Sequence, residues 1–250
     1  MRRPTDILLV HDGDPIGISA ADELAASGIP FRHAPSSDDL VDKALGCRAI
    51  VASGAYAQFP RLRAAAEMPG VGALVLIERG EPDLGPLRRS GIPYTVLRPA
   101  PLLEEIARAL APAVATGKLG LTRDGDPALT WIAARDVARC AIAAVDADDA
   151  CGRVIDVASP EVLRLSEFAS RVARASGRRL KVTRPPRWAV RALRALGKPP
   201  FVLPDQLVAA AAIDGAGAQS LLGAGAEWST IESGLAQAGN HGEALEVGAG

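Results

Sequence analysis

The chain has 250 residues, 48% of them hydrophobic and 23% charged, enough apolar material for one substantial core or a core with an accessory lobe and too much for a disordered chain. Its 28 basic and 29 acidic side chains nearly cancel, so no strong positive field exists to hold a nucleic-acid backbone. Three cysteines, Cys47, Cys140 and Cys151, form no C-x-x-C pair, which argues against a disulfide framework or a cysteine zinc site and fits a reducing cytoplasm.

The start MRRPTDILLVHDGDP is basic, but its apolar run covers only residues 7–10, too short for a signal-peptide core or a membrane span. A soluble protein retained in the cytoplasm is expected. Lysine occurs only as Lys43, Lys118, Lys181 and Lys198, so most basic groups are arginines that cannot act as amine nucleophiles.

Residues 7–10 read as a buried strand, a short branched apolar run left through HDGD. A helix follows: Ile16, Ala20, Ala21, Leu24 and Ala25 recur near helical spacing, Asp14-Pro15 supplies a cap and a first helical proline, and Gly28 stops it. Further strands are expected over 29–34, 49–52, 71–77 and 92–97, the run over 71–77 almost wholly apolar as a strand covered on both faces should be. Residues 38–45, 56–67 and 83–90 form the helical or turn-like crossovers. This alternation favours an open, mostly parallel, right-handed α/β sheet.

After Arg98-Pro99 the pattern changes. A helix over 102–110 is followed by Gly-rich short elements, a helix over 136–145, and a strand over 154–157 that returns to the sheet. A helix over 166–175 ending at Gly177 and a short strand over 180–183 come next. Pro185-Pro186, Pro199-Pro200 and Pro204 divide the remainder into short pieces, residues 215–225 are a poor long-helix segment, and 228–235 dock as a final helix. The expected organisation is a core over 1–157 and a small substrate-side lobe over 158–250 with elements returning to the core.

Several separated segments, DILLVHDGDPIG, SGIPYTVLRPAPLLEE, LTWIAARDVARCAIAAV and GRVIDVASPEVLRLSEFASRVARASGR, with a weaker EWSTIESGL, occur in the order found in a known group. Over most of residues 6–184 the chain resembles the NmrA-like, atypical short-chain dehydrogenase/reductase family. The resemblance implies a Rossmann-like domain, a smaller substrate lobe and an NAD(P)-binding crevice, in proteins that either reduce small molecules or sense the cofactor. Fold does not transfer the reaction.

The chain departs from that family at its first turn. The G-x-x-G-x-x-G positions fall on His11, Asp14 and Gly17, and only the last is glycine, although Gly13 stands one place before Asp14. The usual fingerprint lays a pyrophosphate on the backbone amides of a helix N-terminus. Asp14 can accept from those same amides, and Asp12 adds a second negative charge. After the second strand, Ser36 occupies the position usually basic for a 2′-phosphate, which makes NADPH recognition doubtful; Asp38 or Asp39 either meets a ribose hydroxyl or caps a helix.

The candidate chemistry follows from placement. His11 and Asp14 at the end of the first strand form a polar site able to move a proton, or else Asp14 caps the helix and His11 satisfies a turn. Glu78 follows the fourth strand, as a substrate contact or part of a charged turn. Tyr94 is followed by Arg98, which does not reproduce the Tyr-x-x-x-Lys relay; it is an acid or a core residue. Trp131 walls a pocket while Asp136 caps the next helix or pairs with Arg135, and Trp188 and Phe201 cover the crevice or anchor the lobe. Gly13, Gly17, Ser36 and Arg98 are the cofactor contacts if a dinucleotide is retained. No H-E-x-x-H, P-loop or G-x-S-x-G motif is present, so no metal site, nucleoside triphosphate site or serine hydrolase is expected.

These residues predict a Rossmann-like α/β fold with helices on both faces of the sheet and a small C-terminal lobe. The partner is a small organic molecule, with no nucleic acid and no membrane, and homo-oligomerisation is left open. The favoured activity is a cofactor-independent isomerase, cyclase or lyase. An NAD(P)H-dependent oxidoreductase and a non-catalytic metabolite or redox sensor are the alternatives.

Overall fold

A computed structural model describes residues 6–54, 56–79, 83–121, 126–185, 213, 215–223 and 225–240. The described residues divide into two compact units. The first combines residues 1–99, 134–158 and 214–227; the second combines 100–133, 159–213 and 228–250.

The first unit is built on a six-stranded sheet in which every pairing is parallel. Its strands are β1 (Asp6–Val10), β2 (Phe31–Ala34), β3 (Cys47–Ser53), β4 (Ala73–Ile77), β5 (Tyr94–Pro99) and β8 (Arg153–Val157), in the spatial order β2-β1-β3-β4-β5-β8. The helices between them are α1 (Pro15–Ala26), α2 (Leu40–Ala44), α3 (Phe59–Ala66) after a 3-10 turn at Tyr56–Gln58, α4 (Gly85–Arg89) and α6 (Ala134–Val145).

The central strands are apolar throughout because both faces of the sheet are covered. One face sets Leu8, Val10, Ile50, Ala52, Leu74, Leu76 and Val96 against Leu40, Leu62 and Leu87 from α2, α3 and α4. On the alternate residues, Ile7, Leu9, Val51, Val75 and Leu97 are equally buried, and α1 and α6 pack on this side. The edge strand β2 keeps an exposed Arg32 and His33, and β8 an exposed Arg153 and Val154. The expected alternation of strands and helices is thus present, each element within a few residues of its expected ends.

One expected weak point has a packing reason. Helix α8 (Ala216–Leu222) is short and glycine-bearing, and it lies against β8. A Cβ on Gly217 would stand 2.3 Å from the main-chain oxygen of Asp156 and 2.5 Å from Cγ2 of Ile155. Glycine there lets the helix backbone approach the strand, a use of the residue that helix propensity counts only as a loss.

In the second unit, α5 (Leu103–Thr116), α7 (Leu165–Ala175) and α9 (Ile231–Asn240) enclose a core of Leu103, Ile106, Leu110, Trp131, Phe168, Val172 and Ile231. Helix α5 runs past the expected end at residue 110 and ends on Gly117 in the left-handed region at φ 67°. Two short ribbons complete the unit: β6 (Lys118–Gly120) parallel to β10 (Lys181–Thr183), and β7 (Ala128–Thr130) antiparallel to β9 (Val162–Arg164). Among the described residues no helix is long and apolar enough to cross a membrane. Nor does any group of three or more His, Cys, Asp and Glu side chains among them suit a metal ion.

Candidate functional site

A parallel sheet presents ligands outside the carboxyl ends of its strands, where the strand order reverses. Here the chain steps from β1 outward to β2 and then back to β3 on the other side of β1, so the reversal lies between β1 and β3. The loop after β1 carries His11, Asp12, Gly13 and Asp14; the end of β3 carries Ser53 and Gly54. The structure therefore gathers His11, Gly13, Asp14 and Gly17 at one place, joined by Ser36 from the end of β2.

Asp14 caps α1 as expected. Its Oδ1 accepts from the backbone N–H groups of Ile16 and Gly17, both at 3.1 Å, and from the hydroxyl of Ser53 at 2.8 Å. Ser53 was not singled out by the sequence. Only the strand order shows that the residue after the apolar run of β3 faces the first turn.

His11 is buried, 7% exposed. Its Nδ1 accepts from the N–H of Gly13 at 3.0 Å, and its ring lies 4.3 Å from that of His33, centroid to centroid. His33 Nε2 lies 3.2 Å from the main-chain oxygen of His11. Gly17 is required by this histidine: a Cβ on it would stand 2.2 Å from His11 Cγ. Gly13 has φ 88° and open space where a side chain would be, so it supplies the left-handed step from strand to helix and leaves its surface clear. Asp12 takes the other side of the loop, accepting from the N–H of Ser36 at 2.8 Å and from its hydroxyl at 2.5 Å.

Burial holds the His11 imidazole below its ordinary pKa, and the neighbouring His33 adds to this against the opposing carboxylates of Asp14 and Asp12. The unfolded chain therefore takes up a proton before the folded one as pH falls through the ordinary histidine range. The stability tied to neutral His11 is complete above that range and is lost below it. Protonation at Nδ1 also replaces the acceptor that Gly13 uses with a donor. Thermal melts of the wild type are expected to lose stability from pH 7 to pH 5 more steeply than those of His11→Asn. Asp12 does not confuse this window, because the Ser36 hydroxyl, with its N–H, holds that carboxyl below the usual carboxylate range. Parallel profiles for the two proteins would show that His11 does not carry the dependence.

The remaining candidates lie elsewhere. Glu78 stands at the carboxyl end of β4, two strands from β1 on the same edge of the sheet, with its N–H donating to Leu97 at 3.0 Å. Tyr94 is the first residue of β5 and so lies at the amino edge, opposite the crevice, buried among the side chains under α3 and α4. The sequence spacing to Arg98 gave no sign of this, because a strand separates residues four apart by about 13 Å along its axis. Arg98 does reach the carboxyl end, but its guanidinium pairs twice with Asp156, at 2.6 and 3.0 Å, tying β5 to β8.

Trp131 belongs to the second unit, where it is wholly buried and packs edge-on against Phe168 with ring centroids 5.8 Å apart. Arg135 pairs with Glu23 of α1 at 2.6 Å, and Asp136 holds Arg139 at 3.1 Å. Trp188 and Phe201 lie outside the described residues.

No protein-family model matches the chain, and a search of curated proteins finds no match. Solved structures do match over nearly the whole length. A nucleoside-diphosphate-sugar epimerase from Staphylococcus aureus is similar with a TM-score of 0.62 and 17% identity, covering 91% of this chain and 98% of its own. The triphenylmethane reductase of Citrobacter sp., complexed with NADP(H), has a TM-score of 0.62 and 16% identity, covering 93% and 99%. The NADPH-dependent quinone oxidoreductase of Escherichia coli, complexed with NADPH, has a TM-score of 0.62 and 20% identity, covering 92% and 99%.

These neighbours overturn the expectation that no cofactor is used: proteins of this fold hold NADP(H) and NADPH, which points to a nicotinamide cofactor rather than none. The Asp14 cap is present, but it is weak beside a whole ligand. A cap of this kind is worth roughly 0.5–2 kcal/mol, whereas micromolar binding releases about 8 kcal/mol. Giving up the cap weakens a dinucleotide site without abolishing it. The open face of Gly13 and the strand reversal suit such a ligand; the occupied amides of Ile16 and Gly17 do not. The chain carries the Rossmann-like fold of these epimerases and reductases, consistent with the atypical short-chain dehydrogenase/reductase group that its sequence resembles.

Proposed function

We propose that the chain is an NAD(P)H-dependent oxidoreductase acting on a small organic substrate. The observation that carries this reading is the reversal of strand order between β1 and β3, with the glycine turn at Gly13 opening onto it. The nicotinamide supplies the hydride when bound. Gly13 leaves room for close approach to the β1–α1 loop, and Asp14 must yield the amides of Ile16 and Gly17 for a pyrophosphate to take them.

The proton that accompanies the hydride comes from ordered water. Tyr94 is at the far edge of the sheet, and the Nδ1 of the buried His11 is taken by the N–H of Gly13. A sensor without turnover is the second reading, favoured by that same position of Tyr94.

Calorimetry with NADH and NADPH on the full chain, followed by dinucleotide oxidation in the presence of quinones, aldehydes and ketones, tests the assignment. Micromolar binding of a dinucleotide with substrate-dependent oxidation is the expected result. Binding without oxidation of any acceptor favours the sensor. Failure of both dinucleotides to bind at millimolar concentration overturns both readings.

A further inference from the structure

From the contacts at the exit of β2, we infer that Asp12 makes this crevice select NADH over NADPH. This rests on the nicotinamide reading proposed above and assigns its selectivity to a residue of the first turn. In dinucleotide folds of this kind the adenosine ribose lies beside the first turn and the end of the second strand, where an acidic residue accepts from the 2′-hydroxyl and a basic one holds a 2′-phosphate.

The acidic residue ordinarily comes about twenty positions after the glycine turn. Here it reaches over from the turn itself. The Asp12 carboxylate spans the gap to the β2–α2 loop, held by the N–H and hydroxyl of Ser36 at 2.8 and 2.5 Å. Two oxygens offer more lone pairs than two donors use, so the exposed carboxylate can still accept from a ribose hydroxyl.

The other charges at this exit agree. Asp38 and Asp39 follow in the loop, Asp39 capping α2 through Val41 N–H at 3.1 Å. Arg32 on β2 is turned away, onto Asp6 at 3.1 Å and the main-chain oxygen of Leu45 at 2.6 Å. The ring of His33 lies tilted against that of His11, with its Nε2 3.2 Å from the main-chain oxygen of His11. Arg61 of α3 is a cation beside Ser36, its Nη1 donating to the main-chain oxygen of Ser37 at 2.8 Å and lying 3.5 Å from that of Ser36. On the Ser36 side of the turn, a 2′-phosphate of nearly two negative charges meets the Asp12 carboxylate. Coulomb repulsion of that size at a solvated surface corresponds to about tenfold in affinity.

The test is calorimetric binding of NADH and NADPH to the full chain, to Asp12→Asn and to Arg61→Gln, at low and moderate salt. The wild type is expected to bind NADH about tenfold more tightly, with the gap narrowing as salt rises. Asp12→Asn is expected to bring the two within about threefold, chiefly by tightening NADPH. Arg61→Gln leaves the ratio unchanged. Equal or tighter NADPH binding by the wild type, an unaltered ratio in Asp12→Asn, or a selective loss of NADPH in Arg61→Gln overturns the assignment to Asp12 while leaving the oxidoreductase reading intact. Absence of binding by either dinucleotide overturns both.

Discussion

Replacing Gly17 by alanine is expected to cost the fold about 3 kcal/mol, and replacing His11 by glycine in the same chain is expected to remove most of that cost. A Cβ at residue 17 would lie 2.2 Å from Cγ, 2.4 Å from Cβ and 2.5 Å from Nδ1 of His11. Those atoms are the root of the imidazole, fixed by the strand that precedes it, so the ring cannot swing clear as the tip of a long side chain would. It is also held on both sides, by Gly13 N–H at Nδ1 and by the tilted ring of His33. Overpacking of this kind costs about 1–3 kcal/mol and sometimes more. Chemical denaturation of the wild type, Gly17→Ala, His11→Gly and the double variant closes the cycle. If the two losses simply add, the contact is not the reason for glycine at 17.

The cycle also explains why one glycine of the fingerprint survives. In a dinucleotide fold the last glycine serves close packing of helix on strand. Here it serves the packing of α1 on His11, itself the replacement for the first glycine of the pattern. The two positions are one substitution viewed from both ends. A sequence reading that scored three glycines independently counted one retained and two lost, and could not see that the retained one is demanded by one of the losses.

The sheet was legible because parallel strands covered on both faces show as short apolar runs between helical segments, and residues 7–10, 49–52 and 71–77 stand out as such. Strand order was not legible: nothing local says that β3 lies on the far side of β1 from β2, yet that order brings Ser53 to Asp14. Helix α8 was obscured for a different reason. Gly217 lowers helix propensity by roughly 1 kcal/mol, and the close approach to Asp156 that favours it is a tertiary fact. Tyr94 and Arg98 show the same limit within one strand: whether Tyr94 serves as an acid or a core residue depends on which edge of the sheet it meets, and β5 places it at the amino edge with Arg98 toward the other. Asp14 was legible as a cap because Asp-Pro before an apolar helical pattern has a local meaning. The energy of that cap relative to a whole ligand was the missing magnitude.

That magnitude leads to the second large effect. Asp14→Gly is expected to tighten dinucleotide binding by about tenfold while lowering stability by about 0.5 kcal/mol, or roughly 1–2 °C in melting temperature for a chain of this size. The two changes have one cause. Oδ1 of Asp14 satisfies the N–H groups of Ile16 and Gly17 in the free protein and also receives the Ser53 hydroxyl. Removing it leaves those amides for a pyrophosphate and deletes a negative charge beside it, at the expense of a helix end that water caps less well. Glycine at this position limits the loss, since it is tolerated at helix N-caps far better than alanine. Ser53→Ala supplies the graded companion: it withdraws one of the three donors holding Asp14 and is expected to tighten binding by about two- to threefold with Asp14 still present. Weaker dinucleotide binding in Asp14→Gly would mean that the carboxylate contacts the ligand, and the picture of a cap that competes with it would have to be abandoned.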